Sequence, residues 1–121
     1  MRFRLILITI IILLFSQSAL ADQLAHIEEV QIGERHIIRI LTNAPQAFRV
    51  LENSNCQNLV IKLYGVGLGN VEPIQALQIG NLNINPDGKG NLVLSFNINI
   101  VATNCKIANG RSPNIVEIIF E

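Results

Sequence analysis

The chain offers few groups for acid–base or metal chemistry, and those groups are widely spaced. It has only two histidines, His26 and His36, with Glu28, Glu29 and Glu34 near them. A catalytic zinc site needs three protein ligands and an open position. Solvated strand faces and a turn explain these five residues better than a metal site does. The sequence therefore predicts no metal and no cofactor.

Nucleophiles and carboxylates form no catalytic pattern either. A reactive serine must be held against a histidine that a third group orients, but Ser54 and Ser112 fall in predicted loops without a motif around them. A glycosidase needs two carboxyl groups flanking a cleft, and the acidic residues of this chain are scattered. We expect no catalytic residues and a protein that is not an enzyme.

Basic and amide side chains on predicted strands are better suited to binding. Arg39 and Arg49 are expected on one sheet face, pointing away from their apolar neighbours. Two guanidinium groups on one face could grip carboxylates in a bidentate fashion. Together with Asn43 and Lys62 they form the expected ligand-binding patch. The alternative is an ordinary solvated face.

A group of asparagines offers a second polar surface. Asn97 and Asn99, with Asn81 and Asn83, could hydrogen-bond sugar hydroxyls. Sugar-binding clefts usually add an aromatic platform, but the chain has no tryptophan and a single tyrosine, Tyr64. This argues against a lectin-like groove.

The first 21 residues have the pattern of a cleaved signal peptide. Arg2 and Arg4 precede an apolar run over 5–15, and the small-residue triplet 19–21 follows. This order gives a positive region, an apolar region and an A-x-A cleavage site. The run is shorter than the roughly 20 residues of a membrane span. The pattern predicts a periplasmic or secreted domain over 22–121 that meets the membrane only before cleavage. An uncleaved anchor is the alternative.

Charge and cysteine content limit the kind of protein that residues 22–121 can form. Without Arg2 and Arg4, seven Lys and Arg residues face nine Asp and Glu residues, a net charge of −2. No basic excess is left to hold a nucleic-acid backbone. Both cysteines, Cys56 and Cys105, lie in this part. In an oxidising compartment they are expected to form one disulfide; two buried free thiols are the alternative.

Alternating apolar residues predict a single all-β domain. The segment 58–64 is rich in β-branched and aromatic residues and stops at Gly65, which favours a strand. The longest alternation runs from Leu92 to Ile100. Polar turn signals separate the runs. The pattern predicts eight strands, over 25–32, 35–42, 46–51, 58–64, around 79–84, 92–100, 105–108 and 115–120. The segment 65–70 is expected to be a flexible connector, and 74–79 is ambiguous between helix and strand.

The two halves of this pattern share one order of strands and turns. The closing run of each half carries a lone charge at its centre, Lys62 in the first and Glu117 in the second. We expect a β-sandwich of two similar antiparallel sheets built from a twofold internal repeat.

Four segments share a strand pattern with a known family: HIIRILTNAP from His36, NLVIKLYGV from Asn58, LVLSFN from Leu92 and NIVEIIF from Asn114. Over 27–120 the chain resembles the AMIN domain, which precedes the catalytic unit of periplasmic N-acetylmuramoyl-alanine amidases and also occurs in type IV pilus secretins. The chain departs from the family at Asn58, where arginine is frequent, and at Lys62, where aspartate is frequent.

The resemblance implies a non-catalytic module that binds the cell wall, with peptidoglycan as its partner. The carboxylates of the stem peptides would then be the ligand of the Arg39, Asn43, Arg49 and Lys62 patch. Because the chain ends at Glu121, directly after the last predicted strand, a free-standing module is expected. The alternative is an interaction module that pairs by a sheet edge with an envelope protein, such as an amidase or a pilus or secretion component.

Overall fold

Nine strands make up residues 22–121, the part of the chain that the computed structural model describes. They are β1 (Leu24–Ile32), β2 (Arg35–Thr42), β3 (Phe48–Ser54), β4 (Asn58–Leu63), β5 (Ile74–Leu77), β6 (Gly80–Pro86), β7 (Leu92–Ile98), β8 (Cys105–Asn109) and β9 (Ile115–Phe120). The described residues contain no helix, so they include none that could cross a membrane. The predicted all-β class is confirmed. The predicted signal peptide lies outside the described residues.

Two antiparallel sheets pack face to face. The four-stranded sheet has the order β1-β2-β9-β8, and the five-stranded sheet has the order β3-β4-β7-β6-β5. Each sheet contains two neighbouring hairpins that meet along central strands, β2 with β9 in one sheet and β4 with β7 in the other. The expected pair of antiparallel sheets is therefore confirmed.

Alternating apolar side chains of the central strands fill the space between the sheets. In β4, Leu59, Ile61 and Leu63 are fully buried, whereas Val60 and Lys62 face outwards. Burial of one such side chain contributes about 1.5–3 kcal/mol. The same alternation buries Ile38, Ile40, Leu92, Leu94, Phe96, Val116, Ile118 and Phe120 in the same cluster. This core holds the two sheets together and leaves the polar side chains on their outer faces.

The third strand differs from its predicted bounds. The sequence predicts a strand over 46–51 and a polar loop after it, but β3 runs from Phe48 to Ser54. Its side chains are almost all exposed because it lies at the edge of the five-stranded sheet. An edge strand can pair its backbone without any buried side chain, so its polar residues gave no strand signal. A short turn follows, in which Asn55 and Cys56 both adopt positive φ and reverse the chain between β3 and β4.

The segment between β4 and β6 also differs from the prediction. Part of the ambiguous segment 74–79 forms the edge strand β5, which raises the number of strands from the predicted eight to nine. The connector 65–70 is held rather than free, because Val66 is buried and Gly67 pairs with the start of β1. Its carbonyl accepts a hydrogen bond from the Leu24 N–H at 2.8 Å, and its N–H donates to Asp22 at 2.9 Å.

A disulfide joins the two sheets at one end of the sandwich. Cys56 lies in the β3–β4 turn and Cys105 begins β8, with 5.8 Å between their Cα atoms. The predicted pairing is confirmed. Disulfides are typical of proteins in oxidising compartments, so the bridge points to such a compartment for this domain.

Candidate functional site

The four residues predicted to bind a ligand divide between the two sheets. Arg39 lies in β2 and Asn43 directly after it, whereas Arg49 and Lys62 lie in β3 and β4. Since β2 and β3 belong to different sheets, the expectation that Arg39 and Arg49 share one sheet face is wrong. The sequence could not settle this point, because the sheet that each hairpin joins depends on long-range pairing.

Arg39 forms ion pairs with two carboxylates of its own sheet. It lies directly opposite Glu28 on one side and Glu117 on the other. Its Nε is 3.2 Å from Glu117 and its Nη1 is 3.3 Å from Glu28. The hydrogen bond to Glu117, and then that to Glu28, raise the pKa of Arg39. With both sides occupied, this guanidinium is poorly placed to grip a carboxylate of a ligand.

Asn43 fixes the start of the first strand. Its side-chain oxygen accepts a hydrogen bond from the Gln23 N–H at 2.9 Å, and its own N–H donates to the Gln23 carbonyl at 3.1 Å. These contacts tie the chain entering β1 to the end of β2. They give Asn43 a structural task on the four-stranded sheet.

Arg49 and Lys62 lie side by side on the outer face of the five-stranded sheet. They are directly opposite each other in the β3–β4 ladder. Lys62 is 3.5 Å from the Asp87 carboxylate and 5.2 Å from the centroid of the Tyr64 ring. Arg49 is exposed, and no side chain in residues 22–121 pairs with it. We call Arg49, Lys62 and Tyr64 the basic corner. Within it, the Arg49 guanidinium is the group that is available to an anion.

Asp87 is the fixed counter-charge of this corner. Asn91 donates its side-chain N–H at 2.9 Å and its backbone N–H at 3.1 Å, and the Lys89 N–H donates at 2.7 Å. The hydrogen bond from the Asn91 side chain, then that from Lys89, lower the pKa of Asp87 from 3.8 to about 2. The carboxylate therefore stays ionised. It holds Lys62 beside the Arg49 guanidinium, which lies on the same face of the sheet.

A row of short polar side chains crosses the same outer face. Asn58 of β4 lies opposite Ser54 of β3 and also opposite Asn97 of β7, and Asn97 lies opposite Asn81 of β6. All four residues are exposed. We call them the amide row. It runs across four adjacent strands at the end of the sheet away from Lys62.

The sequence found part of this row. It grouped Asn81, Asn83, Asn97 and Asn99, but only Asn81 and Asn97 are cross-strand partners. Asn83 lies opposite Ser95 in the next row, and Asn99 follows β7, where its N–H donates to the Ile79 carbonyl at 2.8 Å. Asn58 was not linked to the group, because its place beside Asn97 depends on the long-range pairing of β4 with β7.

The residues first considered for chemistry are dispersed. His26 lies opposite Leu41 and His36 opposite Gln31 in the β1–β2 ladder. Within residues 22–121, no three His, Cys, Asp or Glu side chains come together as a metal site. The Ser54 hydroxyl donates to Glu52 at 3.3 Å.

Comparisons with known proteins give no assignment. No family model, characterised protein or solved structure matches this chain.

Proposed function

We propose that this chain is a non-catalytic module that binds peptidoglycan through the outer face of its five-stranded sheet. The observation that carries the proposal is the exposed Arg49 guanidinium beside Lys62, on the outer face of a sheet whose inner face packs in the core. An arginine without an internal partner can bind a carboxylate through two parallel hydrogen bonds. The stem peptides of peptidoglycan carry such carboxylates. The resemblance of the strands to the AMIN domain suggests the same ligand.

The basic corner is suited to a charged group at the end of a flexible peptide. Like charges opposite each other in a ladder are destabilising, and Asp87 offsets this effect for Lys62 alone. A ligand carboxylate would neutralise the remaining charge of Arg49. Binding would then relieve a repulsion that the free protein carries.

The proposed location is the periplasm, after removal of residues 1–21. The Cys56–Cys105 bridge supports an oxidising compartment. Removal of the leader can be checked by N-terminal sequencing of the protein recovered from the envelope. The expected first residue is Asp22, and a chain that still begins at Met1 would contradict cleavage.

We also propose that the two halves of the domain are an internal repeat. Exchange of β1, β2, β3 and β4 with β6, β7, β8 and β9 turns the strand order of the four-stranded sheet into that of the five-stranded sheet without its edge strand β5. Ile27 lies opposite Ile40 as Ile84 lies opposite Leu94. In such a repeat the lone charges Lys62 and Glu117 occupy matching strands. The outer face of the five-stranded sheet then keeps a basic site with a guanidinium that is unpaired within residues 22–121. On the four-stranded sheet, Glu117 forms an ion pair with Arg39, so that arginine is not available.

Co-sedimentation with purified sacculi tests the binding proposal. The wild-type chain should pellet with sacculi, and Arg49→Ala combined with Lys62→Ala should weaken binding about tenfold through loss of charge-assisted contacts. The matched control is Arg35→Ala, which removes an exposed arginine of the other sheet that pairs with Glu121 at 3.3 Å. Equal pelleting of the double variant and the control would contradict the proposed site.

A second candidate is an interaction module that pairs by a sheet edge. The observation that favours it is the edge strand β3, on which Val50 is 37% and Leu51 is 48% exposed. A bulge between Val50 and Glu52 interrupts its ladder, and such bulges protect edges from pairing. An edge-pairing module should stay in the supernatant of the sacculus assay, whereas a wall-binding module should pellet.

A further inference from the structure

The amide row has the form of a repeating hydrogen-bonding surface. Ser54, Asn58, Asn97 and Asn81 are consecutive partners across β3, β4, β7 and β6. The three asparagine side chains have no hydrogen-bond partner anywhere in residues 22–121. Each amide offers two N–H donors and one acceptor oxygen, so the row presents donors and acceptors in a regular series.

The chemistry of the row selects an uncharged ligand. It contains no ionisable side chain, and Lys62 lies four positions further along β4. The charge beside the row is negative, because the Ser54 hydroxyl donates to the Glu52 carboxylate at 3.3 Å. A phosphate or a carboxylate would find no cation within the row. Hydroxyl and acetamido groups match its donors and acceptors, since each of these groups can both donate and accept a hydrogen bond.

The spacing of the row selects a polymer. Neighbouring strands lie about 4.8 Å apart, which is close to the length of one pyranose unit in an extended glycan. From β3 to β6 the row therefore covers about 14 Å, or three such units. A sugar chain that crosses the strands would meet one polar side chain with each unit.

The row is held in place at the end of the sheet. The Gln57 carbonyl accepts a hydrogen bond from the Ile98 N–H at 2.7 Å, which extends the pairing of β4 with β7 beyond the row. At Gly80 the missing Cβ lets β6 approach the Asn97 carbonyl closely. On the other side, Cys56 anchors the turn between Ser54 and Asn58 through the disulfide. The backbone positions that carry these amides are therefore set before any ligand arrives.

We propose that the amide row is a glycan subsite that binds an uncharged chain of N-acetylated sugars lying across the strands. The row lies exposed on an outer sheet face and contains no aromatic residue, so this subsite differs from the lectin-like groove that the sequence argues against. This inference rests on the proposed function. It assigns the glycan and the stem peptide of the wall polymer to two separate sites on one sheet face. The glycan lies on the amide row, and a stem carboxylate reaches Arg49. The two places are about 13 Å apart along β4, the length of four residues in a strand.

The test is a titration of the wild-type chain with a tetramer of β-1,4-linked N-acetylglucosamine, which carries no carboxylate. Nuclear magnetic resonance of the ¹⁵N-labelled chain should show shifts of the Asn58, Asn81 and Asn97 side-chain amides. Asn58→Ala combined with Asn97→Ala should weaken this binding about tenfold. Asn85→Ala is the matched control, because Asn85 is an exposed amide of β6 outside the row.

The two proposals fail in different ways. Shifts of the three amides, with no effect of Arg49→Ala on the tetramer, would support the glycan subsite whatever the sacculus assay shows. Sacculus binding without any tetramer-induced shift at these amides would overturn the subsite and leave the proposed function standing. Shifts confined to other residues would also overturn it. The shift map is read on the wild-type chain, so it does not depend on how the variants fold.

Discussion

At the scale of single residues, cross-strand neighbours decide what an arginine can do. Arg39 and Arg49 both point outwards from a strand, but Arg39 stands between two glutamates and Arg49 stands opposite a lysine. The first is an internal ion pair, and the second remains a free cation in the described part of the chain. Their roles differ although their local sequence patterns are similar.

Asp87 should make the stability of the domain depend on pH below 4. Its folded pKa of about 2 lies below the ordinary value of 3.8, so the stability it contributes is present above pH 3.8 and is lost as the pH falls towards 2. Asp87→Asn removes the charge and this dependence. Thermal unfolding followed by circular dichroism should show the wild type losing its advantage over Asp87→Asn between these pH values. A difference in Tm that stays constant across this range would contradict the assignment.

The sequence predicted the groups of the candidate site better than their arrangement. Lys62 and Arg49 come together because β3 and β4 form one hairpin, a local event. The separation of Arg39 from Arg49 and the meeting of Asn58 with Asn97 depend on which strands join each sheet. No local pattern carries that information, since every hairpin could add to either sheet.

At the scale of the elements, strands buried on one face were the predictable ones. β2 has its predicted bounds because apolar residues that face the core alternate with the outward-facing Arg39. The two edge strands of the five-stranded sheet carry no such alternation: β3 was displaced by several residues, and β5 has only four residues with one strongly exposed isoleucine, Ile74. Burial on one face produces the pattern, and these two strands lack it.

The disulfide is expected to be a large part of the stability of the domain. Cys56 and Cys105 are separated by 49 residues, and a loop of this size stabilises by about 4 kcal/mol in the chain-entropy model. Cys56→Ser combined with Cys105→Ser should therefore lower Tm by roughly 20 °C. A reductant should lower the wild-type Tm to a similar value and leave that of the double variant unchanged. A wild-type Tm that does not respond to complete reduction would contradict this expectation.

Gly80 should tolerate no side chain. Its φ is +154°, and an added Cβ would overlap the Asn97 carbonyl oxygen. Gly80→Ala should cost at least about 3 kcal/mol through strain and displacement of β6 from β7. Gly88 is the matched control, because it also has positive φ but an added Cβ meets nothing within 4 Å. Gly88→Ala should cost only about 1–2 kcal/mol.

Urea unfolding of both glycine variants measures the difference. Equal free energies of unfolding for Gly80→Ala and Gly88→Ala would show that β6 and β7 can separate without loss. The close approach of these strands at the amide row would then be unnecessary for the fold.

At the scale of the whole molecule, two antiparallel sheets of four and five strands present different outer faces. The outer face of the four-stranded sheet has its central arginine closed by two glutamates, and that of the five-stranded sheet has a basic corner and an amide row. The core fixes the strands of both sheets, so a ligand would meet a backbone surface that is already formed. This asymmetry is the reason that we propose a ligand site on one face only.

The most direct test of this account is a titration of the ¹⁵N-labelled chain with soluble peptidoglycan fragments that carry both sugar and stem peptide. The account predicts shifts at Arg49, at Lys62 and along the amide row, with none along the row formed by Glu28, Arg39 and Glu117. Shifts confined to the four-stranded sheet, or no shifts at saturating fragment, would contradict it.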